Sequence, residues 1–104
     1  MSEKLPSSFN DLVATHDKPI LVDFWAAWCA PCRTLSPVIA ELASVWKGKV
    51  TVIKINTEEK PDIARQFNIN SIPTIILFKD GKEVKRISGA MPLPQLQKVF
   101  EGFI

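Results

Sequence analysis

Apolar positions change their period several times along this chain, and each change marks where one element ends and the next begins. Phe9, Leu12 and Val13 recur at helical spacing behind Ser7 and Ser8, which suit a helix N-cap, and Asp17 to Pro19 breaks that helix. Ile20 to Trp25 is a short apolar run holding one charge, Asp23, branched at Ile20 and Val22 and opened by a proline, which predicts a buried strand. From Pro31 the spacing turns helical again. Leu35, Val38, Ile39, Leu42, Val45 and Trp46 collect on one face until Gly48, and Pro37 inside that helix predicts a kink about one turn beyond Cys32.

Val50, Val52, Ile53 and Ile55 predict a second, β-branched strand. Pro61 opens a shorter helix in which Ile63, Ala64 and Phe67 share a side, and Asn68 to Ser71 leads out of it. Ile75 to Phe78, the Asp80-Gly81 turn and Lys82 to Ser88 form the clearest hairpin signal, which makes the last two strands antiparallel. A final helix carries the stripe Leu93, Leu96, Val99, Phe100 and Phe103, with Pro94 tolerated in its first turn.

This order predicts an α/β fold: a βαβ crossover, then a hairpin and a closing helix, giving a central mixed sheet flanked by four α-helices on both faces. Four strands are expected, with a fifth at the edge near Glu3 to Leu5, where Met1 to Pro6 shows little apolar alternation. A chain of 104 residues, 46% apolar, supports one domain spanning residues 1–104 and one core. The default oligomeric state at this size is a monomer.

Charge narrows the function by exclusion. The net charge is +2, with both signs interspersed, so no block or stripe offers a grip on nucleic acid or an anionic membrane. Met1 to Asn10 carries Glu3 and Lys4 and no signal-like apolar core, and no apolar run approaches a bilayer-spanning length. These features predict a soluble, cytoplasmic protein.

The chemistry then falls to two cysteines, Cys29 and Cys32, too few and too close to staple a secreted fold. A C-x-x-C pair reads as redox-active or as half of a zinc site. Zinc needs about four ligands, and His16, at a surface helix end, is the only further strong candidate, so no metal is expected. Inert buried thiols would have no packing reason to sit at a strand-to-helix junction. A redox pair does, because the unpaired N–H groups and positive dipole end of a helix stabilise a thiolate there. Pro31 is the favoured helix-opening residue between the two. Across a first helical turn the sulfurs can close a small ring with Cys29 outward and Cys32 inward, dividing attack from resolution.

The run Val22-Asp23-Phe24-Trp25-Ala26-Ala27-Trp28-Cys29-Ala30-Pro31-Cys32 closely resembles the active-site segment of the thioredoxin family. The likeness continues at Pro37, Lys54, Ile72-Pro73-Thr74, Asp80-Gly81 and Gly89-Ala90, over about residues 9 to 103. It implies a thioredoxin fold and a protein-disulfide reductase working through a reversible Cys29-Cys32 disulfide. It implies Asp23 as the proton-transfer partner of Cys32, the alternative being a buried salt bridge. Lys54 would tune Asp23, unless its stem merely packs while the ammonium reaches solvent. Ile72-Pro73 would be a cis-proline loop facing the dithiol rather than a trans proline opening a strand.

Trp28, Ala30, Pro31, Ile72, Pro73, Gly89 and Ala90 would form a small apolar substrate-binding platform, while Trp25 and Trp46 serve as core and Met91 as rim or packing. The resemblance further implies disulfide-containing substrate proteins and a thioredoxin reductase as partners. NADPH and flavin would belong to that reductase, and the four scattered glycines here form no dinucleotide-binding loop, so no bound cofactor is expected. Two departures stand out: Ala30 replaces the usual glycine between the cysteines, and Ser71 stands where glycine is usual before Ile72. Two other functions compete: a thioredoxin-fold binding module, and a disulfide oxidase or isomerase running the same pair in another direction.

Overall fold

The computed structural model describes residues 9–104, so the Ser7-Ser8 cap and the edge strand expected near Glu3 to Leu5 lie outside the described residues. The elements follow in the expected order: α1 (Phe9–Thr15), β1 (Ile20–Trp25), α2 (Ala30–Val45), β2 (Thr51–Asn56), α3 (Pro61–Gln66), β3 (Thr74–Lys79), β4 (Lys82–Ser88) and α4 (Leu93–Glu101). The four strands lie in the order β2-β1-β3-β4, with β1 parallel to β2 and antiparallel to β3, and β3 antiparallel to β4. The parallel pair requires the long crossover that α2 supplies, and the antiparallel pair closes through a two-residue turn. Asp80 and Gly81 both have positive φ, 54° and 80°, as the favoured hairpin turn of a twisted sheet demands.

Strand alternation sorts the core into two faces. Leu21, Ile75 and Leu77 pack under α2 and α4 with Leu35, Ile39, Leu42, Trp46, Leu96 and Phe100. Ile20, Val22, Phe24, Ile55, Ile76 and Phe78 point the other way, where Val13 of α1 is buried with them and Phe9, Ile63 and Phe67 cover them. Three edge-on ring contacts, Phe9–Phe67, Phe9–Phe78 and Phe67–Phe78, tie α1 and α3 to the sheet at centroid distances of 5.6, 5.7 and 5.2 Å. Leu42 is fully buried on the α2 face, so Leu42→Ala is expected to lower the unfolding free energy by about 3 kcal/mol in urea titrations.

The helix ends depart from the pattern reading in instructive ways. The chain stays helical through Pro37, whose missing N–H leaves the Arg33 carbonyl without its intrahelical donor. Trp46 is buried as expected, but at the C-cap of α2 rather than within it. The apolar stripe of α4 ends early: the helix stops at Glu101, and Phe103 is exposed, its ring 5.7 Å from the Lys85 ammonium. After α3, Asn68 takes a left-handed conformation (φ 55°), with its N–H donating to Arg65 and that of Ile69 to Ala64. This is a Schellman cap in which asparagine replaces the usual glycine. It turns the chain directly into the Ile69–Pro73 loop.

Candidate functional site

Alternation along β1 decides where Asp23 points. Leu21 faces α2, so Asp23, two residues on, belongs to that face too, and it is almost completely buried. Lys54 lies beside it in the parallel register of β1 and β2. After β1 the chain makes a tight turn through Ala26, Ala27 and Trp28 and enters α2 with Cys29 as the N-cap residue. Pro31 sits in the first helical turn, as expected from its missing donor.

Cys29 and Cys32 form a disulfide across that turn, with Cα atoms 5.2 Å apart. The Cys32 N–H donates to the Cys29 sulfur at 3.2 Å, in the place where a serine or aspartate caps other helices. The same sulfur lies 3.7 Å from the carbonyl oxygen of Ile72. The expected division into an outward and an inward sulfur is not one of accessibility, since each cysteine is only 3% exposed. It is one of neighbours: Cys29 faces the Ile72 loop, whereas Cys32 belongs to the first turn of α2. Both pack with Ala26, Trp25 and Ile72 in a small cluster of their own.

The second half of the site is a pair of loops. The Ile72-Pro73 peptide bond is cis. The Pro73 carbonyl accepts from the Gly89 N–H at 2.9 Å, and the Thr74 hydroxyl donates to the Ser71 carbonyl at 2.6 Å. Gly89 holds φ at 93°, a conformation that side chains beyond hydrogen disfavour, so the cross-link between the loops relies on a glycine there. Trp28 is 66% exposed and forms one wall of a cavity of about 310 Å³, completed by Thr57, Ile69, Asn70, Ser71 and Ile72. Of the residues expected around the sulfur, Pro73 is buried under its loop, and Ala30 and Pro31 are exposed at the helix start. Ala90 lines a separate apolar cavity with Thr34, Leu35, Val38, Met91 and Pro92.

The electrostatics centre on Asp23. One of its carboxyl oxygens, Oδ1, is buried without a hydrogen-bond partner among the described residues. Burial pushes the carboxyl up to about 6, and the positive charge of Lys54 opposes that rise. Lys54 makes no ion pair with it. Its ammonium instead donates to the Ser36 hydroxyl at 2.8 Å and lies 5.0 Å from the centre of the Trp25 ring. Periodicity could not have shown this contact, although Ser36 stands four residues after Cys32, on the same side of α2. Arg33, Thr57, Ile69 and Asn70 also escaped the pattern reading. They carry no motif, and their roles depend on loops meeting in space.

His16, the one extra ligand a zinc site could have drawn on, is instead paired through Nε2 with the Thr51 hydroxyl at 2.6 Å. Among the described residues no group of three or more histidine, cysteine or acidic side chains is placed to hold a metal.

This geometry agrees with the comparisons with known proteins. The family model for thioredoxin matches residues 2–101. The chain belongs to the thioredoxin family. Thioredoxin 1 of Nostoc sp. is 46% identical over 95 residues, covering 91% of this chain and 89% of its own. Thioredoxin of Alicyclobacillus acidocaldarius is 56% identical over 81 residues, 78% of this chain and 77% of its own. The chloroplastic M-type thioredoxin of Spinacia oleracea is 46% identical over 98 residues, 94% of this chain and 54% of its own. As a thioredoxin the chain is a thiol-disulfide oxidoreductase, a protein-disulfide reductase whose redox group is the Cys29-Cys32 disulfide and which has no cofactor of its own. Its fold is the thioredoxin fold, a mixed sheet with helices on both faces.

Proposed function

We propose that this chain is a cytoplasmic, monomeric thioredoxin of a single domain, residues 1–104, that reduces protein disulfides and is itself recharged by a thioredoxin reductase. The observation that carries the residue assignment is a redox disulfide at a helix N-terminus, with the Asp23 carboxyl buried on the sheet face that the same helix covers and its Oδ1 without a hydrogen-bond partner among the described residues. Cys29 is the nucleophile, because its sulfur faces the loop where a substrate can lie and receives the Cys32 N–H. That bond and the helix dipole stabilise negative charge on the sulfur once the pair is reduced.

In the dithiol form the Cys29 thiolate attacks one sulfur of a substrate disulfide, forming a Cys29–substrate mixed disulfide and releasing the other sulfur as a thiolate. The Asp23 carboxylate then takes the proton of the Cys32 thiol. The Cys32 thiolate attacks the Cys29 sulfur, the mixed disulfide breaks as Cys29-Cys32 becomes a disulfide, and the two substrate thiolates become thiols by taking one proton back from Asp23 and one from water. Two electrons have passed to the substrate, and the reductase, drawing on NADPH through its flavin, returns two. Asp23 suits the proton step because a carboxyl near 6 is ionised at neutral pH yet basic enough to accept a proton. Lys54, held by Ser36, lowers Asp23 from across the strand pair without neutralising it.

Trp28, Ala30, Pro31, Ile72, Pro73, Gly89 and Ala90 make the substrate-facing surface. Trp28 and Ile72 wall the cavity next to Cys29, and Gly89 ties its loop to Pro73. A reducing compartment suits a chain whose two cysteines are both committed to the cycling pair. Reduction of insulin disulfides with NADPH and a thioredoxin reductase tests the assignment. Steady turnover is expected from the native chain and none from Cys29→Ser; undiminished turnover in that variant would overturn the mechanism.

A further inference from the structure

Among the described residues the most exposed large apolar side chain is Trp28, on the turn that leads from β1 into α2. Ala26 is fully buried and anchors the start of the turn, but Ala27 and Trp28 are both exposed, so packing does not fix the indole. Its direction therefore depends on how the backbone of the turn is held. Among the described residues two hydrogen bonds hold it. The Cys29 N–H donates to the Ala26 carbonyl at 3.2 Å, and the Arg33 guanidinium donates through Nη1 to the Ala27 carbonyl at 2.8 Å. The second is the only one of the two that reaches the exposed part of the turn. It comes from the first turn of α2, where the Arg33 N–H also donates to the Cys29 carbonyl at 3.2 Å. Only the guanidinium bond to Ala27 depends on arginine; the Arg33 N–H bond is the ordinary backbone bond that opens α2 and fixes where that guanidinium starts from.

We propose that Arg33 is a positioning residue that clamps the Ala27–Trp28 turn and so sets how far the indole stands from the Ile69–Ile72 loop across the cavity beside Cys29. The inference rests on Trp28 being a wall of the substrate site. A long side chain bonding a carbonyl in its own active-site turn has a distinct consequence: it acts on substrate binding rather than on the sulfur chemistry. A charged donor on a neutral carbonyl is among the stronger single hydrogen bonds, although exposure to water weakens it. The planar fork of arginine also fixes direction, which the flexible ammonium of lysine does not.

The test compares native protein, Arg33→Met, Arg33→Lys and Trp28→Ala in insulin reduction at saturating reductase, together with backbone amide relaxation of Ala27 and Trp28 in the oxidised protein. Arg33→Met is expected to raise KM about 3- to 10-fold, the order expected for one such bond, with kcat within about twofold of native. Faster local motion of the Ala27 and Trp28 amides should accompany it. Arg33→Lys, which keeps the charge and loses the fork, should raise KM nearly as far. A native KM in Arg33→Met, or unchanged amide relaxation, overturns the clamp. So does a KM that rises in Arg33→Met and is fully restored in Arg33→Lys, since charge alone would then explain it. Trp28→Ala separates this from the reading beneath it. If KM rises there while both Arg33 variants behave as native, the clamp fails and the cavity stands; if Trp28→Ala leaves KM unchanged, the substrate cavity itself is wrong.

Discussion

A Cys32→Ser variant is expected to stop after one chemical step and to accumulate a covalent complex with its substrate, joined through Cys29. With the resolving sulfur gone, the thiolate of Cys29 can still open a substrate disulfide, but nothing adjacent can displace the product. The serine hydroxyl at that position is far too weak an acid to substitute. Steady turnover in the reductase-coupled insulin assay should fall by at least about a thousandfold, the scale on which removing a nucleophile acts. Non-reducing electrophoresis should show the mixed disulfide, and peptide mass analysis should place it on Cys29. Cys29→Ser should lose turnover to the same extent without trapping anything. The opposite pattern, trapping by Cys29→Ser through Cys32, would reverse the roles that the Ile72 carbonyl contact and the helix cap assign.

The second large effect belongs to Asp23, and its sign follows from burial. The carboxyl stands at about 6 in the folded protein against an ordinary value of 3.8, so between those limits the native state keeps a proton that the unfolded chain has lost. Its contribution to stability is therefore complete below pH 3.8 and is lost as the pH rises to about 6. The gap corresponds to about 3 kcal/mol at neutral pH and above. Asp23→Asn removes the ionisation. The oxidised variant should be more stable than native by up to about 3 kcal/mol at pH 8, with the difference shrinking to near zero at pH 4. Denaturant titrations across that range check it.

Function should move the other way. Without the carboxylate, resolution of the mixed disulfide by Cys32 should slow about a hundredfold at pH 7, the lower end of what general bases contribute. The rise of the native rate between pH 5 and 7 should disappear as well. A stabilising substitution that slows the enzyme would identify Asp23 as a group kept for chemistry at the expense of the fold.

What was readable in advance had a physical basis in one dimension. The change from a short, β-branched apolar run to helical spacing located β1 against α2, and the Asp80-Gly81 pair placed the hairpin because few other residues accept two consecutive positive φ values. Asp23 was legible for the same reason, a single charge inside an apolar strand. Its facing toward α2 was not, because only the structure shows which side of the sheet Leu21 and its alternating neighbours cover. The stripe of α4 was overextended to Phe103 because periodicity continues past Glu101 where the helix does not. Accessibility of the two sulfurs could not be read from spacing, since it depends on Trp25 and Ala26 at the end of β1 and Ile72 of a distant loop closing over them.

Contacts made by long polar side chains were invisible for a related reason. Lys54 lies opposite Asp23 in the register, which fits the family role, yet its ammonium is engaged by Ser36 and Trp25 rather than by the carboxylate. Arg33 next to Cys32 looks like any surface charge in an amphipathic helix until its reach back to Ala27 is seen. In both cases the residue's position along the chain is ordinary, and the information resides in which carbonyl or hydroxyl the side chain finds.

Ala30 gives the account its most direct test. Its methyl group stands beside the attacking sulfur in place of a glycine's hydrogen, yet the N-cap bond from Cys32 and the buried Asp23 are in place as a reductant requires. Equilibration of the Cys29-Cys32 couple against glutathione buffers, followed through tryptophan fluorescence, measures its reduction potential. A value of about −270 mV is expected, that of a donor of electrons to protein disulfides. A value near about −120 mV, that of a strong oxidant, would contradict it.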